Sequence, residues 1–263
     1  MDHFPSADVD VRIAESATAA GHAAALRAAD VIRGAIATQG EARVVFASAP
    51  SQEEMLAHLT QAPDIDWRRV RSFHMDEYLD LPADHPGCFG LWLSQRLPGA
   101  ARETLERIRT DGGADNEATR YSELLDAAPI DLVCLGIGVN GHIAFNEPGE
   151  ADLSDPETVR VVALDDTSRR QQVDDGLFPR ISDVPTRALS LTVPALLSAR
   201  SLVCTVVGAH KAPAVTRAAI GRIDASCPAS FLRTHPDVRW FLDAAAASGL
   251  EHNASRSNDT LLA

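Results

Sequence analysis

Short apolar runs alternate with stretches of helical pattern along this chain, and that alternation limits the fold more than any other feature. The runs at 42–47, 69–73, 130–135, 159–164, 188–193 and 201–207 read as strands. Residues 14–37, Ala-rich, free of proline and ending near Gly40, read as a long helix, and 51–59, 89–97, 117–125, 167–173 and 210–221 also carry helical character. Parallel strands need crossover connections, usually helical, whereas antiparallel ones need only tight turns. The pattern predicts an α/β fold, a single Rossmann-like three-layer domain on a mostly parallel, doubly wound sheet. That domain is expected to span 1–249, and 250–263, with interspersed Asn, Ser and Asp, to form a flexible C-terminal tail.

With 263 residues, 45% of them hydrophobic, the chain can bury a substantial core. A formal charge of −13 without a basic patch argues against nucleic-acid binding, which depends on neutralising phosphates. No run of eighteen apolar residues occurs, and Met1-Asp2-His3-Phe4-Pro5 lacks the basic and apolar regions of a secretory signal. A cytoplasmic protein without membrane contact is expected. Cys88, Cys134, Cys204 and Cys227 are widely spaced with no C-x-x-C pair; Cys134 and Cys204 lie in strand runs and read as buried thiols.

Two strand ends carry acid-base groups. After 130–135 come Gly136, Gly138 and Gly141, then His142 and, five residues on, Glu147. Glycines there let the backbone turn sharply or approach a ligand, and open α/β sheets bind ligands beyond the carboxyl ends of their strands. After 69–73 come His74-Met75-Asp76-Glu77-Tyr78. Asp76 could equally cap a helix beginning near Tyr78. Glu77 reads as a structural carboxylate, His74 as a satisfied core or surface histidine, and Tyr78 as a packing residue. The segment 148–157, rich in Asp, Glu, Gly and Pro, reads either as a lid or as an ordinary surface loop.

The Met75-Asp76-Glu77-Tyr78 stretch and, about sixty residues later, Gly141-His142-Ile143-Ala144-Phe145-Asn146-Glu147-Pro148 together resemble the glucosamine-6-phosphate deaminase (isomerase) family. The likeness extends to Leu81-Pro82 with His85-Pro86, Gly208-Ala209-His210-Lys211-Ala212, and Cys227-Pro228-Ala229-Ser230 before His235-Pro236, covering roughly residues 10–245. The resemblance implies deamination and aldose-ketose isomerisation of an amino-sugar phosphate, most simply glucosamine 6-phosphate to fructose 6-phosphate and ammonia. Every step of that reaction is a proton transfer or a hydrolysis, and the opened sugar's carbonyl is the electron sink, so no cofactor and no metal is implied. The resemblance makes Asp76 the base for the C2 proton and His142, supported by Glu147, the ring-opening group. Asn140 belongs to the same set; as an amide it orients but carries no charge, which leaves the charge to Glu147. Lys211 is the implied phosphate ligand at a helix start, with Arg169 or Arg170 as a second basic contact.

One departure concerns the first loop. Where the family has a threonine- and glycine-rich turn, this chain has Ala47-Ser48-Ala49-Pro50-Ser51-Gln52, so phosphate binding would fall to the Ser48 and Ser51 hydroxyls and helix amides, and Pro50 offers no N–H. That leaves the hexosamine phosphate open, the galactosamine epimer included. A 6-phosphogluconolactonase-like hydrolase shares the Gly-x-x-Gly-His pattern but needs no C2 base. A sugar-phosphate sensor would keep the domain without turnover. The family includes monomers and hexamers, so a homo-oligomer stays open.

Overall fold

The computed structural model describes residues 2–6 and 9–250; of the expected tail 250–263, Leu250 is buried in the core and the rest lies outside the described residues. Its strands are β1 (Asp2–Ser6), β2 (Val9–Ala14), β3 (Ala42–Phe46), β4 (Val70–His74), β5 (Asp76–Tyr78), β6 (Leu105–Glu106), β7 (Leu132–Leu135), β8 (Val159–Ala163), β9 (Arg187–Leu191), β10 (Ser201–Val206) and β11 (Val238–Asp243). The helices include α1 (Ala17–Gln39), α2 (Glu53–Thr60), α3 (Phe89–Arg96), α4 (Gly99–Glu103), α5 (Ala114–Asp126), α6 (Asp166–Asp174), α7 (Val193–Leu197) and α8 (Ala212–Ile220), and 244–250 are helical as well. Eight strands form one sheet in the order β1-β2-β11-β10-β7-β3-β4-β6, parallel throughout except for β1 with β2.

Alternation along the central strands builds the three layers. In β3, Val44 and Phe46 join one core, with α1 and α2, while Val45 joins the other. In β7, Leu132 and Cys134 face the α1 side; Val133 and Leu135 face α8 and Tyr121 of α5. Residues buried on both faces explain why these strands read as continuous apolar runs, each large aliphatic contributing about 1.5–3 kcal/mol. Helix α1 starts later than the composition alone indicates, because Ala14 ends β2 and the Ser16 side chain accepts the Ala19 N–H; it stops where Gly40 turns left-handed at φ 88°. All four cysteines are buried free thiols.

The expected runs at 159–164 and 188–193 are strands, but not of the main sheet. As β8 and β9 they pair antiparallel with each other, and β9 pairs antiparallel with β5. A strand pattern reports burial, not which partner a strand joins. β2 and β11 extend the main sheet beyond the expected runs; charged residues interrupt their apolar pattern, and Arg239 Nε meets Asp10 Oδ2 at 3.4 Å between them. Segment 148–157 is tied down: Gly149 N donates to Ala225 O (2.8 Å), Arg160 pairs with Asp155 (3.2 Å), and Thr192 Oγ1 donates to Glu157 O (2.6 Å). It has the anchoring of a surface loop rather than of a lid.

Candidate active site

The carboxyl ends of β3, β4, β7 and β10 converge on one cleft. Its polar lining comprises Ser48 and Ser51 after β3, Asp76 after β4, His142 after β7, Gln171, Gln172 and Asp175 of the α6 region, and Lys211 after β10. This is where an open α/β sheet binds ligands, since strand order reverses between β3 and β7.

Asp76 is held from both sides of a single residue. Met75 N donates to Phe46 O at the end of the main sheet (3.3 Å), while Leu191 N donates to Met75 O in the small one (2.8 Å). Asp76 therefore opens β5 opposite Ser190 and is not a helix cap, because the next helix begins only at Phe89. Burial, and then the neighbouring Glu77, push the Asp76 carboxyl well above the usual carboxylate range. Alternation along β5 turns Glu77 away, and its carboxylate accepts N–H bonds from Tyr78 (3.1 Å), Phe89 (3.0 Å) and Gly90 (2.8 Å), capping α3. Burial raises Glu77 to about 7 against the pull of those amides. His74 is buried and satisfied: Ile108 N donates to Nε2 (2.9 Å), which places the proton on Nδ1, donating to Asp76 O (2.8 Å). Burial brings its pKa down to about 4, so it stays neutral. Tyr78 packs among Phe89, Phe145 and Phe178.

The glycine-rich turn wraps back on itself to present His142. Gly138 N donates to His142 O (2.9 Å), and the ring lies so close over Gly138 that a methyl there would overlap Cε1, Nε2 and Cδ2. Gly141 is left-handed at φ 95°, with Cys227 Sγ where a side chain would stand. Ala144 takes φ 48°, a costly conformation held by Phe145 N donating to Ser190 Oγ (3.0 Å) and by Asn146 Nδ2 donating to Ile143 O and Leu191 O (both 2.9 Å). His142 Nδ1 meets Ser168 Oγ at 2.9 Å and Glu147 Oε2 at 3.7 Å. Asn140 Nδ2 donates to Glu147 Oε2 (2.8 Å), and its Oδ1 accepts the His142 N–H (3.0 Å). Burial alone would raise Glu147, but His142, Ser168 and Asn140 outweigh it and hold the carboxyl below its ordinary value.

At the other end of the cleft, Lys211 closes a short 3-10 turn (Ala209–Lys211) before α8 and is 5% exposed. Among the described residues its ammonium has no hydrogen-bond partner, and burial lowers its pKa to about 8 although Asp175 acts to raise it. Ser48 Oγ is likewise buried and unpartnered. Pro50 opens a 3-10 turn, a position whose N–H would be unused, so the backbone loses no donor there. Arg169 and Arg170 are not among the lining residues. Arg169 donates to Ile181 O (2.8 Å) and Val184 O (3.0 Å), and Arg170 is exposed beside Asp166. Helical spacing is the reason: 168, 171 and 172 share the inner face of α6, which turns 169 and 170 outward. Gln171, Gln172 and Asp175 line the cleft and Ser168 is a buried partner of His142; the sequence reading passes over all four, and the i, i+3, i+4 polar spacing of 168, 171 and 172 was the available signal. Among the described residues no group of three His, Cys, Asp or Glu could hold a metal ion, and no helix is long and apolar enough to cross a membrane.

A carboxyl of raised proton affinity, a histidine backed by a carboxylate, and an unpaired ammonium around one cleft suit proton transfer on a small anion. The family model for glucosamine-6-phosphate isomerases/6-phosphogluconolactonase matches residues 15–240. A glucosamine-6-phosphate deaminase of Listeria monocytogenes is 36% identical over 214 residues, 80% of this chain and 89% of the relative. One of Rhodopirellula baltica is 37% identical over 206 residues, 76% and 80% of the two chains. Among solved structures, a monomeric glucosamine-6-phosphate deaminase superposes with a TM-score of 0.83 at 28% identity, covering 91% of this chain and 99% of that one. A 6-phosphogluconolactonase of Trypanosoma brucei shares the fold, with a TM-score of 0.75 at 19% identity over 92% and 98% of the two chains. The chain belongs to the glucosamine-6-phosphate isomerase/6-phosphogluconolactonase family and is an enzyme of the glucosamine-6-phosphate deaminase type.

Proposed function

We propose that the chain converts glucosamine 6-phosphate to fructose 6-phosphate and ammonia by general acid-base catalysis. The observation that carries this reading is the placing of Asp76 and His142 on one cleft whose far end holds the unpartnered Lys211 ammonium. In this reading His142 takes the anomeric hydroxyl proton and returns one to the ring oxygen, opening the pyranose. Glu147 and Ser168 at Nδ1 steady the imidazolium that forms between the two transfers. Asp76 removes the C2 proton of the open aldehyde, leaving an enolamine. Protonation at C1 gives the C2 imine, and water then replaces its nitrogen, releasing ammonia and the ketose. Burial raises the proton affinity of the Asp76 carboxyl, which makes it a stronger base toward the C2 proton. Lys211 and Ser48 hold the phosphate. A lactonase would have no use for a base at C2, which favours the deaminase. Ammonia release coupled to detection of fructose 6-phosphate tests the reading. Turnover of glucosamine 6-phosphate supports it, and its absence, with activity on 6-phosphogluconolactone instead, overturns it.

A further inference from the structure

Four polar residues of the cleft have no task in that chemistry: Ser51 at the Lys211 side, and Gln171, Gln172 and Asp175, which share one helical segment. Helix α6 runs along the cleft from its acid-base end, where Ser168 touches His142, toward Lys211, whose ammonium senses the charge of Asp175. Seven residues of helix span about 10 Å, a length suited to an extended hexose phosphate. The middle and last turns of α6 therefore lie beside the carbons between the reacting end and the phosphate.

We propose that Gln172 and Asp175 read the C3 and C4 hydroxyls of the open-chain substrate, and that Asp175 determines which C4 epimer is accepted. The inference rests on the functional reading above. Gln172 is 5% exposed, lines the cleft, and its amide has no hydrogen-bond partner among the described residues, so it faces a ligand group rather than the protein. Asp175 is positioned by a chain of contacts: Val139 N donates to Gln171 Oε1 (3.0 Å), which aims Gln171 Nε2 at Asp175 Oδ2 (3.3 Å). The network fixes the amide's orientation and leaves the other carboxylate oxygen for the cleft. Asp175 also stands at the C-terminus of α6, where the helix dipole disfavours a negative charge, a cost that a binding role explains. A carboxylate accepts from sugar hydroxyls and an amide both donates and accepts, so the pair is complementary to a vicinal diol.

Asp175→Asn and Gln172→Leu, made separately in the full chain, test this with glucosamine 6-phosphate and galactosamine 6-phosphate, which differ only at C4. The wild type should prefer one epimer, and each variant should bring the ratio of kcat/KM values at least about tenfold closer to one. Lys211→Met should lower both values and leave the ratio alone. Asp175→Asn relieves an unfavourable charge at the helix end, so its folding is expected to be intact. A wild type indifferent to C4, or a ratio within twofold of wild type in both variants, overturns the proposal. If the wild type releases ammonia from neither sugar, the functional reading falls, and binding of the two 2-amino-2-deoxyhexitol 6-phosphates, which lack the carbonyl, decides the subsite. An epimer preference that Asp175→Asn erases upholds it; equal affinities overturn it.

Discussion

Gly138→Ala removes no functional group, yet it should disable the enzyme. A β-carbon at 138 would fall inside the contact envelope of three atoms of the His142 ring, so the ring must retreat by about 1 Å to restore ordinary packing. That retreat stretches the 2.9 Å contact with Ser168 and the 3.7 Å approach to Glu147, the two groups that orient the imidazole. A 1 Å misplacement of a reacting group costs roughly 100-fold, about 2.7 kcal/mol of barrier. The loss should fall on kcat with KM nearly unchanged, because Lys211 and Ser48 lie elsewhere in the cleft. Initial rates of ammonia release against glucosamine 6-phosphate give both constants, and thermal unfolding shows whether the fold survives. Gly34→Ala is the control: nothing lies within 4 Å of its added carbon on α1, so it should gain roughly 0.5–1 kcal/mol of stability and leave kcat alone. A Gly138→Ala enzyme with kcat within twofold of wild type would refute the claim that ring placement limits the rate.

The remaining predictions concern charge. Lys211, lowered to about 8 by burial, loses its ammonium as pH rises, so kcat/KM should fall toward tenfold per unit above pH 8, and Lys211→Arg should remove that fall; identical profiles would sink the assignment. Asp76→Asn should abolish ammonia release while raising the melting temperature at pH 8, since it removes a buried carboxylate; an active variant would eliminate Asp76 as the base. His74 and Glu77 oppose one another. The depressed His74 favours the fold fully above its unfolded value near 6.5, and that advantage is lost as pH falls toward 4. The raised Glu77 favours the fold fully below its unfolded value near 4.5, and that advantage is lost as pH rises toward 7. In His74→Gln the Glu77 slope is unmasked, so urea-derived stability, relative to wild type, should decline by up to about 3 kcal/mol from pH 4 to 6.5; parallel profiles would refute the pairing.

The central strands were legible because they are buried on both faces: the runs at 42–47, 130–135 and 201–207 each fall within a residue or two of β3, β7 and β10. β5 was not, being three residues long with its partner Ser190 more than a hundred positions away. β2 and β11 were hidden by Asp10, Arg12 and Arg239, whose charges sit between buried neighbours. The positions marked by the family motifs, Asp76, His142 and Lys211 in the cleft and Asn140 and Glu147 beside His142, stand at strand ends or the turns beyond them. Ser168 and the glutamines did not announce themselves, because a polar residue inside a helix is read as solvent-facing until the neighbouring layer is known. The same ambiguity drew attention to Arg169 and Arg170, which share the stretch but not the face.

Met75 is a seam between two sheets, bonded to the large one through its N–H and to the small one through its carbonyl. The position of Asp76 is consequently insulated from the surface on either side of it. Residues 80–86 and 179–183 could be randomised in a library, or lengthened, with the reacting carboxyl left in register. Every member of such a library would inherit the same proton-transfer geometry.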